Sequence, residues 1–182
     1  MHDNELWQVF QENGLPISGR GAIDDAFDAD QTLISDNSHV WFWRKTPDGI
    51  SILLQKRALA KKKAPGFYHV SSSGHINIGE SAHEAAVREA REELGIDIDP
   101  ANLYLVYVVR NERNLRSFLY VYTHELGDDD EFSFDDGEVE LVEWHDLEKF
   151  CEMTENAAEY KLIDQGRGYF DPLIAAIKRQ SQ

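Results

Sequence analysis

Glutamates stand at positions 89, 92 and 93, three and four residues apart, and on a helix that spacing brings all three to one face. Like charges held so close destabilise a helix and raise one another's pKa unless something cationic intervenes. A hard divalent cation with oxygen ligands resolves the conflict. Upstream, Arg57, Lys61, Lys62 and Lys63 form a basic cluster in a very acidic chain. Arg and Lys are the standard partners of phosphate oxygens, so one reading is a phosphate clamp. The other is a solubilising surface turn.

The elements that must position these groups follow from the flanking residues. Residues 74–96 read GHINIGESAHEAAVREAREELGI. Ser81 and Glu84 have capping-box spacing, which predicts a helix from near Ala82. Gly95 stands where a C-terminal stop belongs. On a wheel of about 100° per residue, Ala86, Val87, Ala90 and Leu94 form the buried stripe. The glutamates share the adjacent face with Ala82 and Ala85, whose small side chains are expected to leave room for a phosphate. Strands are predicted at 39–44 and 50–56, turning at Thr46-Pro47-Asp48-Gly49, and at 68–72, 103–109, 115–122 and 139–144. Short helices are predicted at 147–153 and 171–178. An Asn13-Gly14 pair suggests a hairpin over 6–17, and the acidic run 24–37 reads as a surface loop. The expected class is α+β, a single domain over 1–182 with helices covering a mixed sheet. Trp41, Trp43, Tyr104, Tyr107, Tyr120 and Tyr122 alternate along strands and belong mostly to the core or sheet faces, with one or two open to stacking on a nucleobase.

Composition narrows the partners. A net charge of -16 repels polyphosphate backbones and argues against a nucleic acid polymer. No window approaches the roughly 18 apolar residues of a membrane span, and the polar N-terminus lacks the features of a signal peptide. Cys151 is the single cysteine, which predicts a reducing, cytoplasmic setting. A small phosphorylated molecule is the expected partner, and homodimerisation stays open.

The segment 74–96 also matches the Nudix box, G-x5-E-x7-R-E-U-x-E-E-x-G-U, at Gly74, Glu80, Arg88, Glu89, Glu92, Glu93 and Gly95, with Ala90 and Ile96 at its aliphatic sites. At about 7% usage per residue, seven fixed positions agree by chance about once in 10⁸ windows. The chain thus resembles the Nudix hydrolases, which implies an α/β/α sandwich and a box that binds Mg²⁺ or Mn²⁺. The resemblance makes Glu89, Glu92 and Glu93 metal ligands, with the Gly74 carbonyl in addition. It makes Arg88 the group that orients the carboxylates, while Glu80 supports the loop or reaches a metal through water. For the general base it leaves Glu93 first, with Glu138 or Glu140 as alternatives.

Residues 53–81 further resemble the branch holding isopentenyl-diphosphate isomerase and its hydrolase relatives, through an Arg, a Lys, Pro65-Gly66 and Gly74-His75 followed by Gly79-Glu80. That likeness places Arg57 and Lys61 on the substrate diphosphate. Two positions depart from the isomerases. Ser73 stands where they have a catalytic Cys, and residues 111–118, NERNLRSF, offer only Glu112 in place of their Glu-x-Glu, with Arg113 and Arg116 beside it. The leading expectation is hydrolysis of a nucleoside diphosphate derivative or related diphosphate. The alternatives are isopentenyl-diphosphate isomerisation, and ligand sensing without catalysis, for which a complete box is unnecessary. His75 and His39 read as packed or loop-capping histidines before metal ligands.

Overall fold

One long strand organises the sheet. In the computed structural model, which describes residues 7–11, 33–111, 117–134 and 137–182, β2 (Ile34–Thr46) pairs with four others. They are β1 (Val9–Phe10), β3 (Gly49–Arg57), β5 (Ser72–His75) and β7 (Ser117–Glu125). Strands β4 (Tyr68–His69) and β8 (Val139–Asp146) join β3, and β6 (Tyr104–Asn111) joins β7. The β2–β7 pair is parallel and the other pairs are antiparallel, so the sheet is mixed as expected. The hairpin between β2 and β3 turns over Pro47 and Asp48, with Thr46 opposite Gly49.

Both faces of the sheet are covered, and the strand alternation shows it. Val40 and Phe42 of β2, Leu53 of β3 and Tyr122 of β7 point into one core, where helix α1 (Ala82–Leu94) contributes Ala86, Ala90 and Leu94. Trp41, Trp43, Ile52, Leu54, Leu119 and Val121 point into the other. There α2 (Leu147–Glu155) and α3 (Arg167–Gln180) supply Phe150, Met153, Phe170, Leu173 and Ile177. Two-sided burial explains why VWFW and ILL read as continuous apolar runs rather than alternating ones. The product is the α/β/α sandwich. No helix among the described residues is long and apolar enough to cross a membrane.

Helix α1 is bounded as its sequence dictates. Ser81 accepts from the Glu84 N–H, and Glu84 returns a bond to the Ser81 N–H at 2.9 Å. Gly95 closes the helix in the left-handed region at φ 69°, and a Cβ there would also lie 2.0 Å from Ser133 Oγ.

Three elements differ from expectation. Residues 34–37 belong to β2, not to an acidic surface loop, and Ser35, Asp36, Asn37 and Ser38 are buried. Their burial comes from β7 on one side and β5 on the other, strands remote in sequence. Burial lifts the Asp36 carboxyl to about 6 against the opposing bond from Tyr120. The expected strand at 68–72 is split into β4, which pairs with β3, and β5, which pairs with β2. Ser71 stitches the crossover by donating to Leu53 O at 2.6 Å and accepting from Phe42 N at 2.9 Å. Helix α3 starts at Arg167, four residues before the expected start. The 6–17 hairpin, apart from residues 7–11, and the acidic run 24–32 lie outside the described residues, as do Glu112, Arg113 and Arg116.

A buried polar cluster ties α3 to β2. Tyr169 OH lies 2.7 Å from His39 Nδ1 and accepts from Trp41 Nε1 at 2.8 Å, while Tyr107 OH donates to Tyr169 O. Burial depresses His39 to about 3, against about 6.5 in an unfolded chain. A histidine so depressed gains its proton on unfolding. Its contribution to stability is fully present above pH 6.5 and is lost as pH falls toward 3. Raised carboxyls such as Asp36 act in the opposite sense, so the comparison is made with a variant. Stability measured by urea unfolding is expected to fall between pH 7 and pH 5 more steeply in the unaltered protein than in His39→Phe. Equal slopes would mean that the native state protonates His39 as readily as the unfolded chain does.

Candidate functional site

The site lies where the middle and last turns of α1, the loop before it and β5 meet. Arg88 is its hub. Its Nε and Nη2 donate to the two oxygens of Glu80 at 2.8 and 2.9 Å, and Nη2 also donates to His75 O at 2.9 Å. Its Nη1 donates to Glu89 Oε1 at 2.7 Å and to Glu92 Oε2 at 2.9 Å. One guanidinium therefore fastens the loop, the strand and two carboxylates of its own helix. Burial opposes its charge, but the bond to Glu80, the charge of Glu89 and the bonds to Glu89 and Glu92 raise the Arg88 pKa further above its usual range. Burial likewise works against Glu80, yet the bonds from Arg88 and the Asn77 N–H hold it below the ordinary carboxylate range. Glu80 thereby joins the loop backbone at Asn77 to Arg88 of the helix.

Glu93 is held differently. Its Oε2 accepts the Ser73 N–H of β5 at 2.8 Å and the Gln55 amide of β3 at 3.1 Å. Burial, and then the charge of Glu89, push its carboxyl well above the usual range despite the Ser73 bond. The charge of Glu138 acts in the same direction, which places that residue within electrostatic reach. Among the described residues no three His, Cys, Asp or Glu side chains are already closed into a coordination cage. The donor set nonetheless suits a hard cation. Carboxylates at 80, 89 and 92 gather about one arginine, and Glu93 follows on the same helix with its carboxyl raised by burial and by the charge of Glu89.

Gly74 belongs to this arrangement through its missing side chain. A Cβ there would sit 1.8 Å from Glu89 Oε1, so the Glu89 carboxylate lies directly on the β5 backbone. The expected open space beside the glutamates is not found at Ala85, which is fully buried, and Ala82 packs against the core under α1. The buried stripe of the helix is wider than the wheel suggested and takes in Glu89 and Glu93 as well.

The basic cluster lies on the turn after β3. Arg57 Nε donates to Lys63 O at 3.1 Å, curling the turn, and Lys61 Nζ pairs with Glu138 Oε1 at 2.6 Å. The structure thus brings Arg57, Lys61 and Glu138 to one end of the β3–β8 pair, where Ala58 N also donates to Glu138 O at 2.9 Å. Glu140 goes elsewhere. It pairs with Lys56 at 3.7 Å, and Lys56 faces the opposite side of the sheet from its neighbour Gln55. His75 is half-buried against Trp7 at 3.3 Å between ring centroids, and desolvation of its ring holds it to about 3. Ser73 Oγ lies 3.3 Å from His69 Nδ1. Gln55 and the Ser73 N–H were not expected as partners of Glu93. The one signal for Gln55 was a polar residue interrupting the apolar run ILL.

A family model described as the NUDIX domain matches residues 38–165. An uncharacterized Nudix hydrolase of Clostridium acetobutylicum is 33% identical over a match taking in 55% of this chain and 57% of that protein. The isopentenyl-diphosphate Delta-isomerase of Cutibacterium acnes is 40% identical across 32% of this chain and 29% of its own length. The chain therefore spans little more than half of the first relative and under a third of the second. A crystal structure from Deinococcus radiodurans superposes with a TM-score of 0.69 at 21% identity, covering 98% of this chain and 100% of that one, a likeness of fold.

The contact between Gly74 and Glu89 has a measurable signature. Gly74→Ala is expected to destabilise the protein by about 1–3 kcal/mol through overpacking. In a Glu89→Ala background the same substitution should cost less than about 1 kcal/mol, because the clashing carboxylate is gone. Urea unfolding of the four proteins tests this; additive losses would show that Glu89 turns aside freely.

Proposed function

The chain belongs to the Nudix family, and we propose that it is a Mg²⁺- or Mn²⁺-dependent hydrolase of a pyrophosphate bond, in a nucleoside diphosphate derivative or a related small diphosphate. The observation that carries this reading is the face of α1: Glu89 and Glu92 bonded to Arg88, Glu89 pressed onto the Gly74 backbone, and Glu93 on the Ser73 N–H. Glu89, Glu92, Glu93 and the Gly74 carbonyl would hold the cation. When bound, it supplies neutralisation of phosphate oxygens and a more acidic water.

The chain's own residues do the rest. Arg88 keeps Glu89 and Glu92 turned inward, and through Glu80 and His75 O it keeps the loop and β5 in place. Glu93 takes the proton of the attacking water as an oxygen–phosphorus bond forms and the anhydride bond breaks, leaving two phosphate-terminated products. Glu138 is the alternative base, and while Lys61 holds it at 2.6 Å it is engaged. A substrate phosphate that draws Lys61 away releases it. Arg57 and Lys61 hold the phosphate remote from the broken bond, and the acidic remainder of the chain repels polymers that carry many phosphates.

Short stretches of isomerase likeness favour isopentenyl-diphosphate isomerisation as a second reading. Against it, Ser73 supplies a hydroxyl that scarcely ionises near neutral pH, where the isomerases have a Cys whose pKa starts near 8.5.

A phosphate-release screen over diphosphate compounds with Mg²⁺ or Mn²⁺ should find at least one substrate, with turnover abolished by EDTA. Glu92→Gln and Glu93→Gln should each lower kcat at least about 100-fold, and no interconversion of isopentenyl and dimethylallyl diphosphate should be seen. Lys61→Ala should raise KM more than it lowers kcat, because a remote phosphate is held alike in ground and transition states. Turnover unchanged in EDTA, or robust isomerisation, would overturn the assignment.

A further inference from the structure

Strand β3 alternates as a strand buried on both faces should. Ile52 and Leu54 enter the core under α2 and α3, and Leu53 enters the core under α1. Gln55 comes next on the α1 side and is 1% exposed. An apolar side chain would suit that position, whereas a buried amide without a partner costs about 1–3 kcal/mol. The partner it has is Glu93: Gln55 Nε2 lies 3.1 Å from Glu93 Oε2. The same oxygen accepts the Ser73 N–H at 2.8 Å. Donors from two strands, β3 and β5, converge on a single carboxylate oxygen. With that atom pinned from two sides, the direction of the second oxygen is set.

We propose that Gln55 is a positioning residue, whose amide holds the Glu93 carboxylate in the orientation that ligates the divalent cation. The inference rests on the hydrolase reading, in which Glu93 is a cation ligand. Nothing in the Nudix box specifies this residue; it lies 38 positions before Glu93 and reaches it through the packing of α1 on the sheet. Hydrogen-bond partners behind a metal-ligating group commonly govern 10–100-fold in metal affinity or activity. Without the amide, Glu93 keeps its anchor on β5 and loses the one on β3.

The test uses Gln55→Met, which keeps the length of the side chain and removes the donor. Binding of Mn²⁺ to the substrate-free protein, read from the free-ion EPR signal, should weaken about 10–100-fold. On the substrate found by screening, kcat should fall over the same range, while KM changes less than about threefold. Gln55→Asn keeps an amide one methylene short and should lie between the two, which a loss of packing alone would not produce. It also serves if Gln55→Met fails to fold. A folded Gln55→Met or Gln55→Asn that binds Mn²⁺ as tightly as the unaltered protein overturns the proposal. Failure of the unaltered protein itself to bind Mn²⁺ and to hydrolyse any diphosphate is a separate result. It removes the cation role of Glu93, and that of Gln55 with it.

Discussion

The arrangement depends on one guanidinium. Carboxylates at 80, 89 and 92 meet in a partly buried place, and their mutual repulsion would push the box loop, the helix and β5 apart. Arg88 reverses the sign of that interaction by donating to all three and to the His75 carbonyl. Lysine would not substitute. It offers a compact ammonium, whereas these acceptors are arrayed around the planar fork of an arginine. The charge is kept because its hydrogen-bonding groups find partners, the condition under which a buried ion is tolerated.

Glu93 stands outside this circle and gives the site its asymmetry. Glu89 and Glu92 are anchored by a cation of the same helix, Glu93 by neutral amides of the sheet. The second anchor orients the carboxylate without balancing it, and burial then raises its pKa. The site thus contains two glutamates paired with a guanidinium and one held by neutral donors of the sheet.

Much of this was legible because it is local. The capping box, the Gly95 stop and the spacing of the glutamates all act within a few turns, and the structure reproduces them. What was not legible depends on strands far away in sequence. Ser35-Asp36-Asn37 read as loop because polar residues normally face water, yet β5 and β7 bury them. The pairing of Lys61 with Glu138 requires β8 to return beside β3, and no spacing announces that. Ala85 was misjudged for a related reason: a helical wheel orders the faces of a helix but does not say how much of its circumference the sheet will cover. Gln55 was visible as an interruption, but its meaning lay in a residue on another element.

The parallel alignment of β2 with β7 bears on how the molecule comes to exist. Ser35 lies beside Ser117, with roughly 80 residues of chain between them, and closing so long a loop is entropically unfavourable until the contacts it permits have formed. Helix α1 and strand β5 are strung along that loop. Local signals let the helix form early, but the sheet on which it rests is complete only when the distant strand has docked. Topologies dominated by such non-local pairings fold slowly. In a newly made chain the acidic helix can therefore form before the sheet on which it packs is closed.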